Sequence, residues 1–307
     1  MSEKQQFRLG LVGYGEIGST LGKGLREAGL QQVASYDKHA FDGPYAELIQ
    51  DRARAAGVTL VRSNQELADS ADVIFSVTPG SASLESAEAF APVLDGRHTF
   101  LDFASATPKV KLGVAERLGN TGALLGDGSI MGTPKNGYSM HMLSSGPAGQ
   151  RVADLLVPWG MSIECVGERL GTASGIKILR SVLLKGIEAL TDEMLLAARY
   201  YGLDEAVLAS ASKTLTRPWM DTVESLTPSG VIHAKRRTEE VEMAAEAVQD
   251  AGIEPIMTRS TAARLRWKEE LGLKEHFKGV VPANHKLAID AIADAMEAGA
   301  AKAKAAE

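Results

Sequence analysis

Short apolar runs alternate with amphipathic segments through the first half of the chain. Uninterrupted apolar runs of this length are typical of strands that are buried on both faces of a parallel sheet. Segments with helical periodicity, such as residues 18–28 and 44–56, lie between them. The pattern predicts an α/β fold, a doubly wound and mostly parallel sheet of the Rossmann kind with helices on both faces. The predicted strands are residues 8–13, 32–37, 58–61, 72–78, 98–103, 123–128 and 162–167.

The pattern changes after about residue 168. A long helical stretch covers residues 172–201, and few strand-like runs follow it. We therefore predict two domains. The first, residues 1–168, is the α/β domain, and the second, residues 169–307, is all-helical and joined to the first by the long helix.

Composition and charge exclude several classes of function. The chain has 307 residues and a formal charge of −6, which argues against nucleic acid as a partner. Cys165 is the only cysteine and the six histidines are scattered, so we expect no metal site. No apolar run approaches the ~20 residues that a membrane helix needs. The amino terminus lacks the apolar core of a signal peptide, so a cytoplasmic location is expected.

A glycine-rich motif follows the first predicted strand directly and opens a helix. In this context G-x-G-x-x-G binds a dinucleotide: the first glycine permits a tight turn, the second lets the backbone approach a pyrophosphate, and the third permits close packing of helix on strand. The amino terminus of the helix then faces the anionic pyrophosphate. The predicted contacts are Gly13, Tyr14, Gly15, Glu16, Ile17 and Gly18.

Asp37 ends the second predicted strand, 19 residues after Gly18. Its carboxylate is expected to accept hydrogen bonds from the adenosine ribose and to repel a 2′-phosphate. We therefore expect NAD to be preferred. The neighbouring cation Lys38 could offset part of that repulsion, so NADP stays open.

Three strand ends run into loops rich in Ser, Thr, Gly and Pro: residues 77–83, 102–108 and 126–137. In doubly wound sheets ligands bind beyond the carboxyl ends of the strands, so Thr78, Pro79 and Ser105 are expected to contact the cofactor. Ordinary turn chemistry explains each loop equally well when it is taken alone. Asp102 and Asp127 fall near these strand ends and could act in chemistry or cap a turn.

With these motifs in place, residues 7–200 resemble the β-hydroxyacid dehydrogenase family, which includes 3-hydroxyisobutyrate and 6-phosphogluconate dehydrogenases. "DFASATP" brings Ser105 to the family's hydroxyl-contacting region, and "GTASGIK" brings Gly171 and Lys177 to its lysine motif. The resemblance implies that Lys177 exchanges the proton of a substrate hydroxyl while Ser105 binds the reacting oxygen. It also implies hydride transfer with a nicotinamide cofactor, and a homodimer or higher oligomer.

The same motifs depart from the family at the substrate. "DGSIMGT" places Met131, Gly132 and Thr133 in the substrate segment, with Met131 where the family has serine and Thr133 where it has glycine. Arg180 and Ser181 replace an asparagine pair. We expect residues 131–133 to contact a small-molecule substrate whose identity differs from the family's usual hydroxy acids.

Lys177 can also be assessed from its own helix. Ser181 lies about 40° around the helix from Lys177, so a hydroxyl shares the lysine's stripe and could join the catalytic and substrate-binding groups. Apolar neighbours would lower the pKa of the lysine, as an acid/base near neutral pH requires. A solvated lysine is the alternative, and the preceding dinucleotide motif favours the catalytic role.

The helical domain resembles that of 6-phosphogluconate-dehydrogenase-like oxidoreductases and carries His233, Arg236 and Arg237 in "SGVIHAKRRTEEVEMAAEAVQDAG". These three could bind a polar substrate. Pairing with the following glutamates, Glu239, Glu240 and Glu242, is the favoured interpretation. Two further functions stay open: an imine reductase, which as a rule lacks the lysine, and a dinucleotide sensor without catalysis.

Overall fold

The computed structural model describes residues 4–306. Residue contacts divide the chain into two units, residues 1–182 and 183–307. None of the helices in the described part of the chain combines the length and apolar character that crossing a membrane requires.

The first unit is built on one eight-stranded sheet. Its strand order is β3-β2-β1-β4-β5-β6-β7-β8, and only β7 runs antiparallel to a neighbour, β6. The predicted fold class is therefore confirmed. The strands are β1 (Arg8–Val12), β2 (Gln32–Tyr36), β3 (Thr59–Val61), β4 (Val73–Ser76), β5 (Thr99–Asp102), β6 (Leu124–Ile130), β7 (Met142–Ser145) and β8 (Ile163–Cys165).

Helices cover both faces of the sheet. Alternate residues of β1 enter two separate cores: Leu11 packs with one apolar cluster and Val12 with the other. Burial on both faces explains why these strands read as continuous apolar runs. The covering helices are α1 (Glu16–Glu27), α2 (Ala46–Ala56), α3 (Asn64–Ser70), α4 (Ser83–Phe90), α5 (Pro108–Leu118) and α6 (Gly149–Leu156), with 3₁₀ turns at Gly80–Ala82, Pro134–Ser139 and Val157–Trp159.

The long helix α7 (Thr172–Tyr201) has the bounds that the sequence predicts. Its first turn is buried through the small residues Ala173 and Ser174, which lets the helix start against the sheet. The division between the two units falls inside this helix, after Val182.

The second unit, as far as residue 306, contains helices and no strands. Its apolar core includes Val231, Ile232, Leu273, Ala288 and Ile292. After the end of α7 the helices are α8 (Asp204–Leu215), α9 (Trp219–Ile232), α10 (Ala234–Asp250), α11 (Ile256–Glu270), α12 (Leu273–His276) and α13 (His285–Ala306).

Strand β7 is absent from the sequence prediction. Its four residues are all buried, but so short a run is a weak periodic signal, and half of it is serine. The pairing of β7 with β6 places Ser145 opposite Asp127, which matters for the site described next.

Candidate functional site

In the glycine-rich turn between β1 and α1, the geometry at each glycine suits the role that the motif gives it. Gly13 has a φ of +95°, in the region that side chains avoid. A Cβ at Gly18 would lie 2.2 Å from the carbonyl oxygen of Gly13, whereas one at Gly15 would meet nothing within 4 Å. Helix α1 begins at Glu16. The turn is closed tightly at Gly18 and open at Gly15, where a ligand could approach the backbone.

Asp37, just after β2, ties this turn to the sheet. Its Oδ2 accepts a hydrogen bond from the backbone N–H of Tyr14 at 2.7 Å, and its Oδ1 accepts one from the N–H of His39 at 2.8 Å. Each carboxylate oxygen keeps a free lone pair for a ribose hydroxyl. The Tyr14 side chain points into the core, where burial raises its pKa to about 12. Tyr14 therefore contributes its backbone to the turn.

A cleft of about 970 Å³ opens beside the turn. It is lined by the predicted residues Gly13, Gly15, Glu16, Ile17, Asp37, Thr78 and Pro79. Lys38 and Arg52 line the same cleft with Asp37. Sequence reasoning missed Arg52, because a lysine or arginine on a predicted helix such as α2 is usually solvated.

The backbone of Ser105 packs against a neighbouring strand-end loop, although Ser105 does not line the cleft. The loop after β4 carries Thr78 and Pro79, and the next residue, Gly80, packs on the loop after β5. A Cβ at Gly80 would lie 1.9 Å from the carbonyl oxygen of Ser105. Only glycine permits this approach, which holds the two strand-end loops against each other.

Lys177 and Ser105, the two residues to which the family resemblance gives catalytic roles, contact each other. The Nζ of Lys177 donates a hydrogen bond to the Oγ of Ser105 at 2.6 Å. Lys177 is half-buried, and its pKa is lowered, first by this burial and second by the charge of Lys111. A lysine of this kind exchanges a proton more readily near neutral pH than a solvated one.

The other predicted substrate groups have partners of their own. Ser181 turns its hydroxyl to the carbonyl oxygen of Lys177, one turn earlier in α7, at 2.9 Å. The backbone N–H groups of Met131 and Gly132 both donate to the carbonyl oxygen of His141. Thr133 is exposed. Within residues 4–306 no hydrogen bond joins residues 131–133 to Lys177 or Ser105.

Beneath the Lys177–Ser105 pair lies a cluster of three buried charges. Asp102 at the end of β5 and Asp127 in β6 face each other across the two strands. Lys111 of α5 donates to the Oδ2 of Asp102 at 3.0 Å and to its carbonyl oxygen at 2.5 Å. Its Nζ is 3.5 Å from the Oδ1 of Asp127. All three residues are at most 2% exposed.

Asp127 connects this cluster to α7. Its Oδ2 accepts the N–H of Ser174 at 2.9 Å and the hydroxyl of Ser145 at 3.3 Å. The Oγ of Ser145 in turn accepts the N–H of Ala173 at 3.0 Å. A carboxylate at a helix amino terminus satisfies free N–H groups and interacts favourably with the helix dipole. The cluster therefore fixes the start of the helix that carries Lys177.

Sequence reasoning found the strand-end aspartates and missed Lys111. "PKVKLGVAERL" alternates lysine with apolar residues, and this pattern is typical of an amphipathic helix with solvated lysines. The signal that could have found Lys111 is the pair of aspartates, because two carboxylates buried side by side require a cation.

Comparison with known proteins gives one match to a described domain. Residues 198–268 match DUF1932, a domain of unknown function. An uncharacterized 28.5 kDa protein of Methanothermus fervidus is 26% identical over 264 residues, covering 86% of this chain and 99% of that protein.

Solved structures extend the likeness to the fold of NAD(P)-dependent dehydrogenases and imine reductases. A conserved protein of unknown function, itself similar to 3-hydroxyacid dehydrogenases, is 28% identical with a TM-score of 0.58, covering 85% of this chain and 98% of that one. Reductive aminases and imine reductases share the fold. One is the reductive aminase from Aspergillus terreus in complex with NADPH and ethyl levulinate, which is 18% identical with a TM-score of 0.70 and covers 87% and 95%.

We expect Lys111→Met to lower the free energy of unfolding by about 3–5 kcal/mol, because it leaves two buried carboxylates without a counter-charge. Urea unfolding measures the change. Lys109→Met is the matched control on the same helix, since Lys109 is exposed and should stay within about 0.5 kcal/mol of wild type. Equal stability of the two variants would contradict the ion cluster.

Proposed function

We propose that this protein is an NAD(P)-dependent oxidoreductase that interconverts a hydroxyl and a carbonyl group on a small organic substrate. The observation that carries the proposal is the contact between Lys177 and Ser105. A half-buried lysine with a lowered pKa donates to a hydroxyl on the loop that packs against the edge of the cleft.

The residues of the cleft fit a dinucleotide. The Gly13 turn, the open space at Gly15 and the amino terminus of α1 suit a pyrophosphate. The free lone pairs of Asp37 suit the ribose. When bound, the nicotinamide supplies or accepts the hydride. The protein would position the substrate and exchange the proton of its hydroxyl group.

Lys177 would act as acid and base. In the oxidation direction its neutral amine takes the proton of the substrate hydroxyl, and in the reduction direction its ammonium returns it. Burial and the charge of Lys111 both lower the pKa of Lys177, so the neutral amine is available at lower pH than on a free lysine. Ser105 would form a hydrogen bond with the reacting oxygen of the substrate and position Lys177 beside it.

NAD is the proposed cofactor, with Asp37 as the reason. A 2′-phosphate near this carboxylate would meet a like charge. Lys38 and Arg52 line the same part of the cleft and reduce that repulsion. We therefore expect a moderate preference for NAD over NADP.

A second candidate is an imine reductase. The observation that favours it is the fold, which imine reductases and reductive aminases share. The presence of Lys177 favours the alcohol/carbonyl reaction, because deprotonating a hydroxyl needs a base. A panel of hydroxy acids, larger alcohols and cyclic imines, assayed with NADH and NADPH, separates the two activities. A non-catalytic sensor would bind NADH and turn over no member of the panel.

We expect Lys177→Met to lower kcat for alcohol oxidation by about 10²–10⁴-fold and to leave NADH affinity unchanged, because the lysine moves a proton and does not hold the dinucleotide. Steady-state kinetics and NADH fluorescence titration measure the two effects. Lys185→Met is the control: it lies on the same helix, exposed and paired with Glu188 at 2.7 Å, and should keep full activity. Full turnover by Lys177→Met would overturn the proposal.

We expect Asp37→Asn to weaken NADH binding and to bring the dissociation constants of NADH and NADPH closer together. The amide is neutral and loses one of the two acceptor oxygens that hold Tyr14 and His39. Titration of both cofactors gives the ratio. Asp42→Asn, an exposed neighbour outside the cleft, should keep the wild-type ratio. An unchanged ratio in Asp37→Asn would remove Asp37 as the selector.

A further inference from the structure

Three helices of the second unit bring cationic groups together beside Gly230. Gly230 lies in α9, Arg237 in α10, and Arg264 and Lys268 in α11. The Nη1 of Arg237 and the Nζ of Lys268 each lie 3.2 Å from the position that a Cβ at residue 230 would occupy. The two nitrogens are therefore separated by no more than twice that distance. Because residue 230 is a glycine, both nitrogens can approach the backbone of α9 this closely.

The other arginines of α10 and α11 have carboxylate partners. Arg236 pairs with Glu240 at 3.4 Å, as the sequence predicts, and two more arginines pair with acidic residues. These two pairs are Arg259 with Glu254 and Arg266 with Glu242. The surfaces of these helices are therefore well supplied with acidic groups.

The cations beside Gly230 differ from these. The predicted pairing of Arg237 with a glutamate is wrong: its guanidinium donates instead to the carbonyl oxygen of Leu226 at 3.2 Å and to the Oγ of Ser229 at 2.8 Å. In the part of the chain that the structure describes, no carboxylate lies within 4.0 Å of the side-chain nitrogens of Arg237, Arg264 or Lys268. These three cations therefore lack a direct carboxylate partner among the described residues.

The proximity of these cations affects the pKa of Lys268. Its side chain is partly buried, and its pKa is lowered, first by burial and then by the charges of Arg237 and Arg264. The guanidinium of Arg264 lies 3.8 Å from the centre of the Trp267 ring, where it is attracted to the aromatic face. Like charges held together out of water destabilise a fold unless an anion joins them.

We propose that Lys268 and Arg237 form a binding site for a small oxyanion, the phosphate or carboxylate group of a metabolite. One oxyanion can accept a charge-assisted hydrogen bond from each of two nitrogens at this separation. Ser229 helps to position Arg237: its Oγ accepts a hydrogen bond from the guanidinium and donates its own proton to the carbonyl oxygen of Ser225. All of these residues fall within the match to DUF1932, so the site gives that domain a ligand-binding role. The proposal does not depend on hydride transfer.

Titration calorimetry of the full chain with inorganic phosphate tests the site, and acetate in a second series separates phosphate from carboxylate recognition. We expect saturable binding by wild type and a dissociation constant at least about tenfold higher for Lys268→Met. Lys268→Arg should keep most of the affinity. Lys235→Met is the control, because Lys235 is exposed on α10, two residues before Arg237 and so on a different face.

Thermal unfolding gives a readout that does not depend on calorimetry. In buffer without phosphate, Lys268→Met should unfold at the same temperature as wild type or higher, because a repelled charge has been removed. Phosphate should raise the Tm of wild type and not that of Lys268→Met. Wild-type affinity in Lys268→Met, or an equal loss in Lys235→Met, would show general charge attraction and overturn the site. The absence of saturable binding of either anion would overturn it as well.

Discussion

The buried ion cluster of Lys111, Asp102 and Asp127 is the interaction on which the candidate site depends. Strands β5 and β6 hold the two carboxylates opposite each other in the interior, where their repulsion would be strong. The ammonium of Lys111 offsets it and binds the end of β5 directly. The ion pair with Lys111, together with packing, therefore holds β5 and β6 in place at the candidate site.

The same cation acts on the candidate acid/base in two ways. Through Asp127, which accepts the N–H of Ser174, it sets where α7 begins and so where Lys177 stands, one turn further along the helix. Its charge also lowers the pKa of Lys177. Lys111 thus contributes to both the position and the protonation of Lys177. A lysine on a solvated helix face would show neither effect.

Local pattern was enough to predict most of the fold and the glycine-rich turn of the candidate site. Apolar strands, the glycine-rich turn and helical periodicity are encoded by residues that are close together in the sequence. The sheet, the turn and the helix Thr172–Tyr201 were therefore predictable. Lys177 and Ser105 are 72 residues apart in the chain, so local pattern does not reveal their contact; family resemblance alone assigned both residues to one site. Lys111 was not predictable, since a buried and a solvated lysine look alike on an amphipathic helix. Residues 131–133 were assigned by motif position alone, and the N–H groups of Met131 and Gly132 donate to the carbonyl oxygen of His141.

The proposed acid/base role depends on the protonation of Lys177. In protein labelled with ¹³C at lysine Cε, an NMR pH titration follows each lysine, and the signal missing from Lys177→Arg identifies Lys177. We predict that Lys177 titrates at lower pH than a solvated lysine, because burial and the charge of Lys111 lower its pKa. Titration of Lys177 together with the exposed lysines would contradict it, because the lysine would then be an ordinary solvated cation.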